Sequence, residues 1–256
     1  MPDVRNTRVA LITGSVRGIG KAIADRLRAD GWVVVAHAKT ATELNGVTEP
    51  WVAGDLEDSN VPKRLITEII AQCGRLDALV NNAALTTRGT LETTDTVLFD
   101  RLMAVNLRAP LLLIQAALPH FRANGGGKVV NIGSTNAHCG ERNLLPYAIS
   151  KGGLVTLTRN LADAHGAEGV RVNQLNIGWT LSDSEYALKI AEGLPPDWPE
   201  RLPKSIAPSG TINQPEDVAA MVAFLLSSDA PRVNGSVWDF EQFPIIGRNP
   251  PKEPVS

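Results

Sequence analysis

Tyr147 and Lys151 stand four residues apart in the run "YAISK". In a helix both side chains rise from one face. Such a pair is suited to moving a proton. A free tyrosine ionises near about 10, so a base working at neutrality must lose about three units, roughly 4 kcal/mol. A neighbouring ammonium favours the phenolate and supplies part of that shift. Ser134 stands thirteen residues before Tyr147, where its hydroxyl can hold and polarise a substrate oxygen. Taken singly, a Tyr–Lys pair is commonly a surface pair and a serine after a strand a turn residue. The chemistry rests on the three occurring together, downstream of a second feature.

That feature is "LITGSVRGIGKAIADRL", in which an apolar run meets Gly14, Gly18 and Gly20 and a helical pattern follows at once. Glycine is the residue that loses most freedom on ordering, so something there requires a bare backbone. Gly14 allows a sharp turn. Gly18 and Gly20 let backbone approach a ligand and let the helix pack closely. The first N–H groups of the helix then point at an anion, with the helix dipole behind them. A dinucleotide pyrophosphate fits, although the spacing G-x-x-x-G-x-G differs from the commonest fingerprint.

The elements that must position these residues alternate along the chain. Strands are read at "RVALITG", "WVVVAHA", "WVAGD", "LDALVNNAA", "GKVVNIGS", "VRVNQLNIG" and "GSVWDF". Helices are read at residues 19–29, 61–73, 94–123 and 146–165, and in "QPEDVAAMVAFLLSS", with Pro215 in the first turn and acids after it. The alternation predicts a mostly parallel sheet with helices on both faces. Continuously apolar strands agree with a sheet buried on both sides. No linker interrupts the pattern, so a single α/β domain over residues 1–256 is expected. The Pro-rich, charged segment 182–213 reads as a lid, and 245–256 as an extended tail. The 256 residues carry a net charge of −2, with no basic block, no secretory segment and no membrane-length apolar run. Nucleic-acid and membrane partners are not expected. Cys73 and Cys139 are far apart and fit reduced thiols in a cytoplasm, and the four histidines show no metal-ligand spacing.

With "TGSVRGIG", "NNAA", "NIGS" and "YAISK" in that order, the sequence resembles the short-chain dehydrogenase/reductase family over essentially residues 9–239. The resemblance implies a Rossmann-type sheet in the order 3-2-1-4-5-6-7, a nicotinamide cofactor and hydride transfer at a C–OH/C=O centre. It assigns Tyr147 as acid/base, Lys151 as the residue that lowers its pKa and holds the nicotinamide ribose, and Ser134 as the polarising hydroxyl. Asn106 is the fourth member by resemblance; in the family a water at its carbonyl extends the proton path. Local chemistry agrees, because Pro110, four residues on, has no N–H to give that carbonyl. The cofactor cradle is expected at Gly14, Ser15, Arg17, Gly18, Ile19 and Gly20. Asp55 and Leu56 fall at the adenine, Asn82 and Ala83 at the adenosine side, and Gly178 and Ser182 at the carboxamide. His37 reads as a packed strand-end residue.

NAD-preferring members carry an acid at the end of the second strand, on the ribose 2′-OH. Here that position is Ala38, followed by Lys39 and Thr40, with Arg17 in the turn. NADP(H) is therefore expected over NAD(H). The chain departs from the family twice: Ile177 replaces the usual proline before Gly178, and Phe240–Glu241 replace a usual Gly-Gly. The substrate wall is expected at Thr86, Thr87, Asn136, His138, Glu141, Arg142, Trp179 and the lid. That set is polar and suits a sugar, polyol or hydroxy acid, with Arg142 available to a carboxylate. A 3-oxoacyl thioester is the alternative, since bacterial 3-oxoacyl-carrier-protein reductases share the start motif; a silent cofactor-binding sensor is a remoter one. Dimers or tetramers built through the long helices are expected.

Overall fold

A computed structural model describes residues 7–138 and 140–246. Cys139 and residues 247–256 of the expected tail lie outside the described residues. Seven parallel strands form one sheet in the order β3-β2-β1-β4-β5-β6-β7. They are β1 (Val9–Ile12), β2 (Val33–Ala38), β3 (Trp51–Ala53), β4 (Ala78–Asn81), β5 (Gly127–Ser134), β6 (Val170–Ile177) and β7 (Val237–Phe240). The helices are α1 (Gly18–Ala29), α2 (Val61–Cys73), α3 (Thr96–Met103), α4 (Ala109–Ala123), α5 (Leu145–His165), α6 (Asp183–Ala191) and α7 (Pro215–Leu226).

Alternation along β1 shows why the strands are apolar throughout. Val9 and Leu11 join the core formed with α2 and α4, whereas Ala10 and Ile12 join the core formed with α1 and α7. All four are fully buried. The sheet is thus covered on both faces, and every strand delivers its C-terminal end to one edge.

Two regions differ from the sequence reading. The helix expected over residues 94–123 is divided by a π-helical turn, Ala104–Arg108, between α3 and α4. There the Ala109 N–H donates to the Ala104 carbonyl, five residues back. Pro110 cannot supply the next regular helix bond, and widening the helix at that point accommodates it. Segment 182–213 is more ordered than its composition suggests. It contains α6, with the Ser182 hydroxyl capping it by accepting from the Glu185 N–H, and a short helical turn at Trp198–Glu200. Trp198, Ala207 and Ile212 are buried in a small core of their own, with Trp179, Leu181, Leu194 and Leu202 against it.

Candidate active site

The strand ends place the expected chemistry at one edge. Ser134 ends β5 and is buried, and Tyr147 and Lys151 lie one turn apart at the start of α5, also buried. Burial raises the Tyr147 phenol above its usual range, and a hydrogen bond from Ser134 opposes that rise. Lys151 Nζ donates to the Ile132 carbonyl at 2.7 Å and sits 5.6 Å from the centre of the Tyr147 ring. Burial pushes this ammonium down to about 8. Asn106, in the π turn, is almost fully buried. Its Nδ2 donates to Leu85 O at 2.9 Å and Ser150 Oγ at 3.0 Å, and its Oδ1 accepts from the Leu85 N–H at 2.8 Å. Ser150 Oγ in turn donates to the Tyr147 carbonyl at 2.6 Å. The asparagine side chain therefore fixes the loop after β4 to the helix that carries Tyr147. Ser150 had no signal in the sequence beyond its place inside "YAISK".

At the other end of the cleft the glycines have separate reasons. Gly14 and Gly18 adopt φ of +64° and +52°, which side chains disfavour. A Cβ on Gly20 would lie 2.2 Å from Gly14 O and 2.5 Å from Asn82 Nδ2, so the helix seats directly on the turn. Asn82 ties the β4 end to this turn, donating to Thr13 O and Gly14 O. Its Nδ2 is thus engaged within the protein. Thr13 Oγ1 accepts from the N–H groups of Asn82 and Ala83 at 2.9 and 3.0 Å, a brace that sequence reasoning missed. His37 is buried as a packed residue but does more than pack. Its Nδ1 accepts from the Gly14 N–H at 3.1 Å, so Nε2 carries the proton and donates to Gly54 O at 3.1 Å. Burial pushes this imidazole down to about 4, against the Gly54 bond. Ser15 is buried beside it and its hydroxyl accepts from the His37 N–H. Arg17 is exposed at the start of α1, Ile19 is half-buried, and no acid occupies the first turn of that helix. A bare, positively polarised helix start over a glycine turn has the donor set for a pyrophosphate.

The residues expected at a 2′-phosphate are engaged with acids. Lys39 Nζ pairs with Asp55 at 2.8 Å, and both side chains are exposed. Burial would raise the Asp55 carboxyl, but the Lys39 hydrogen bond and charge bring it below its usual value. The Thr40 N–H and hydroxyl both donate to Glu43 Oε2, at 2.9 and 3.1 Å. Leu56, beside Asp55, is buried in the core. Ser182 lies against the glycine turn, 3.6 Å from where a Gly18 Cβ would be, and its hydroxyl serves as the α6 cap.

Of the expected substrate wall, Asn136 is held to Ser134 Oγ through its N–H at 3.2 Å, and its own Oδ1 accepts from the Glu141 N–H. His138 Nε2 meets both oxygens of Asp239 at 2.8 and 2.9 Å. Trp179 follows Gly178, stacks on Trp198 at 5.1 Å and donates from Nε1 to Glu185 at 2.8 Å. Thr86, Thr87 and Arg142 are exposed. Arg88, from the loop after β4, pairs with Glu192 at the end of α6. Glu185 and Glu192 were not singled out from sequence beyond lying in the expected lid, because isolated acids carry no spacing signal, and Glu241 stood out only as a departure from the family. Among the described residues there is no cluster of three or more metal-ligating side chains, and no helix is long and apolar enough to cross a membrane.

Comparisons with known proteins identify the family. A family model described as enoyl-(acyl carrier protein) reductase matches residues 14–241. Meso-2,3-butanediol dehydrogenase of Serratia marcescens is 31% identical over 238 residues, covering 90% of this chain and 92% of the relative. Levodione reductase of Leifsonia aquatica is 33% identical over 257 residues, covering 92% and 94%. Among solved structures, L-sorbose reductase of Gluconobacter frateurii, complexed with NADPH and L-sorbose, superposes with a TM-score of 0.85 at 26% identity, covering 92% of this chain and 95% of that one. The chain belongs to the short-chain dehydrogenase/reductase family, as an oxidoreductase acting on CH–OH groups with NAD(P).

Proposed function

We propose that this chain interconverts a secondary alcohol and a carbonyl on a small polar substrate, with NADP(H) preferred and Tyr147 as the acid/base. The observation that carries the reading is the burial of Ser134, Tyr147 and Lys151 together at the strand ends, with the Ser134 hydroxyl on the phenol. The cofactor, when bound, supplies or accepts the hydride. Tyr147 gives its proton to the carbonyl oxygen in reduction and takes it from the alcohol in oxidation. Ser134 holds that oxygen against the phenol. Lys151, a cation in a dry setting, lowers the cost of the phenolate. Asn106 keeps the Leu85 loop and α5 in register, and its carbonyl, facing Pro110, is the water-binding point of the proton path.

Gly14, Ser15, Arg17, Gly18, Ile19 and Gly20 hold the pyrophosphate; Asp55, Leu56 and Ala83 border the adenine side; Gly178 and Ser182 border the nicotinamide. Arg17, Lys39 and Thr40 take the 2′-phosphate. The Lys39–Asp55 and Thr40–Glu43 contacts are exposed and exchange at little cost. The polar wall favours a sugar, polyol or hydroxy acid. Two relatives act, by name, on a butanediol and on L-sorbose, which supports that choice. Similarity to a 3-oxoacyl-[acyl-carrier-protein] reductase of Staphylococcus aureus, 29% identical over 242 residues, supports a 3-oxoacyl thioester as the second reading. A second copy of the chain is read at the apolar groove lined by Met103, Leu107, Leu111 and Leu157.

The test is a fluorescence titration with NADPH and NADH, followed by turnover of meso-2,3-butanediol, L-sorbose, hydroxy acids and 3-oxoacyl thioesters. Tighter NADPH binding is expected, and Arg17→Ala or Lys39→Ala weakens NADPH about tenfold, or ~1.4 kcal/mol, with little change for NADH. Equal losses for both cofactors would remove the 2′-phosphate assignment. Thioester turnover alone would promote the second reading, and binding with no turnover the sensor.

A further inference from the structure

The two departures from the family pattern, Ile177 for proline and Glu241 for glycine, meet in space. Ile177 ends β6 and pairs in register with Phe240, the last residue of β7. Glu241 follows at once, and its Oε2 accepts from the Trp179 N–H at 3.0 Å. Its Oε1 accepts from the Gln242 N–H at 2.8 Å. The carboxylate lies so close to the loop that a Cβ on Gly178 would fall 1.9 Å from Oε2. The Gly178 N–H itself donates to Phe240 O at 2.9 Å. Gln242 continues the contact into the returning arm of segment 182–213: its Oε1 accepts from the Ser209 N–H at 3.0 Å and its Nε2 donates to Thr211 O. That arm is closed onto the loop by two backbone bonds, Leu181 N–H to Asn213 O and Asn213 N–H to Trp179 O.

We propose that Glu241 and Gln242 form a clip, in which Glu241 fixes the Gly178–Trp179 loop that a proline would otherwise stiffen and Gln242 fixes the arm of the lid above it. Both are positioning residues, since they act through the loop and the arm and touch no reacting atom. The proposal deepens the functional reading above and rests on it for the nicotinamide lying against Gly178. A proline restricts its own φ and the residue before it, whatever surrounds it. A side-chain clip restrains the loop only while its hydrogen bonds hold. Here a single side chain holds the Trp179 N–H, so its loss releases that amide while the backbone bonds of Gly178 and Leu181 and the sheet remain.

The test uses the full chain without cofactor in amide hydrogen exchange, comparing wild type, Glu241→Ala, Glu241→Gln and Gln242→Ala. Glu241→Ala is expected to speed exchange of the Trp179 amide at least tenfold, while the Gly178 amide, bonded to Phe240 O, and the β1 and α1 amides keep wild-type rates. Glu241→Gln, which retains an acceptor, stays within about threefold. Gln242→Ala speeds the 209–213 amides and leaves 178–181 nearly unchanged, and it judges the proposal if Glu241→Ala fails to fold. In parallel, Glu241→Ala is expected to weaken the preferred reduced cofactor at least fivefold and ADP-ribose, which lacks the nicotinamide, less than twofold. Unchanged exchange in both segments would overturn the clip. Faster exchange with no split between the two ligands would overturn the positioning role. Failure of the wild type to bind any nicotinamide cofactor would instead remove the functional reading, and the exchange rates would still decide whether the clip exists.

Discussion

The two ends of the cleft are held in different ways. At the glycine turn, the bonds run between backbone groups and buried side chains: Thr13 to the β4 end, His37 to Gly14 and Gly54, and Asn82 to Gly14. Beyond β6, the Gly178–Asn213 region is held by half-exposed groups, an aromatic stack, the Arg88–Glu192 pair and the Glu241–Gln242 contacts. The first end cannot adjust without leaving a buried polar group unpaired, which costs on the order of 1–3 kcal/mol each. The second end keeps a small buried core around Trp198, but its side-chain ties to the rest of the molecule, at Arg88–Glu192 and Gln242, can exchange with water. On the proposed function, a cleft built this way keeps one wall fixed for the cofactor and leaves the other free to differ between substrates.

The comparison is broken most severely at Gly20. Gly20→Ala drives a methyl into the backbone oxygen of Gly14, and we expect about 3 kcal/mol or more of lost stability in urea unfolding, together with lost cofactor binding. A tolerated alanine would mean that the turn is not fixed. His37 comes next. Its folded pKa of about 4 lies below the unfolded value, so the unfolded chain binds more protons between pH 6.5 and 4. Stability from this group is whole above pH 6.5 and declines as pH falls toward 4, by up to roughly 3 kcal/mol. His37→Phe should be less stable at pH 7 and should flatten the slope between pH 6.5 and 4.5. An unchanged slope would exclude the neutral, doubly bonded imidazole.

Between the two ends, Lys151 sharpens the contrast by placing an active group where it costs stability. Its folded pKa of about 8 is below the usual lysine value, so the penalty is fully present below pH 8 and is relieved as pH rises toward 10.5. Lys151→Met should therefore stabilise the cofactor-free protein by ~2 kcal/mol at pH 7, after losing the Ile132 bond, and the advantage should shrink above pH 8. A less stable variant at pH 7 would contradict the buried cation. The smallest effect belongs to the adjustable wall. Arg88→Ala removes an ion pair whose partners are about one-third exposed, and less than ~1 kcal/mol is expected in the same unfolding measurement.

Legibility in the sequence follows the same division. The strands, the limits of α2 and β5 and the spacing of Ser134, Tyr147 and Lys151 were readable from apolar periodicity and fixed spacings, whereas the strand order followed from the family resemblance alone. The glycine turn was readable as a place that needs bare backbone. What Gly20 touches was not, since Gly14 and Asn82 reach it only through the fold. Pro110 signalled a disturbed helix, but not that the disturbance would be a π turn. Lys39 and Thr40 read as phosphate ligands; the Lys39–Asp55 contact joins residues whose proximity no local pattern reports, whereas Thr40 and Glu43 form a T-x-x-E capping box within one short turn. Glu241 was visible only as a departure from the family, and its partner, the Trp179 N–H, is sixty-two positions away.

The central claim is that Tyr147 moves the proton in a site that binds cofactor independently of it. The direct measurement is turnover of the preferred substrate by Tyr147→Phe, with cofactor affinity determined on the same preparation. The account predicts a rate lowered by about 10³-fold or more, with the cofactor dissociation constant within about threefold of wild type. Retained turnover at wild-type affinity would contradict it, and the proton would have to be carried by another group.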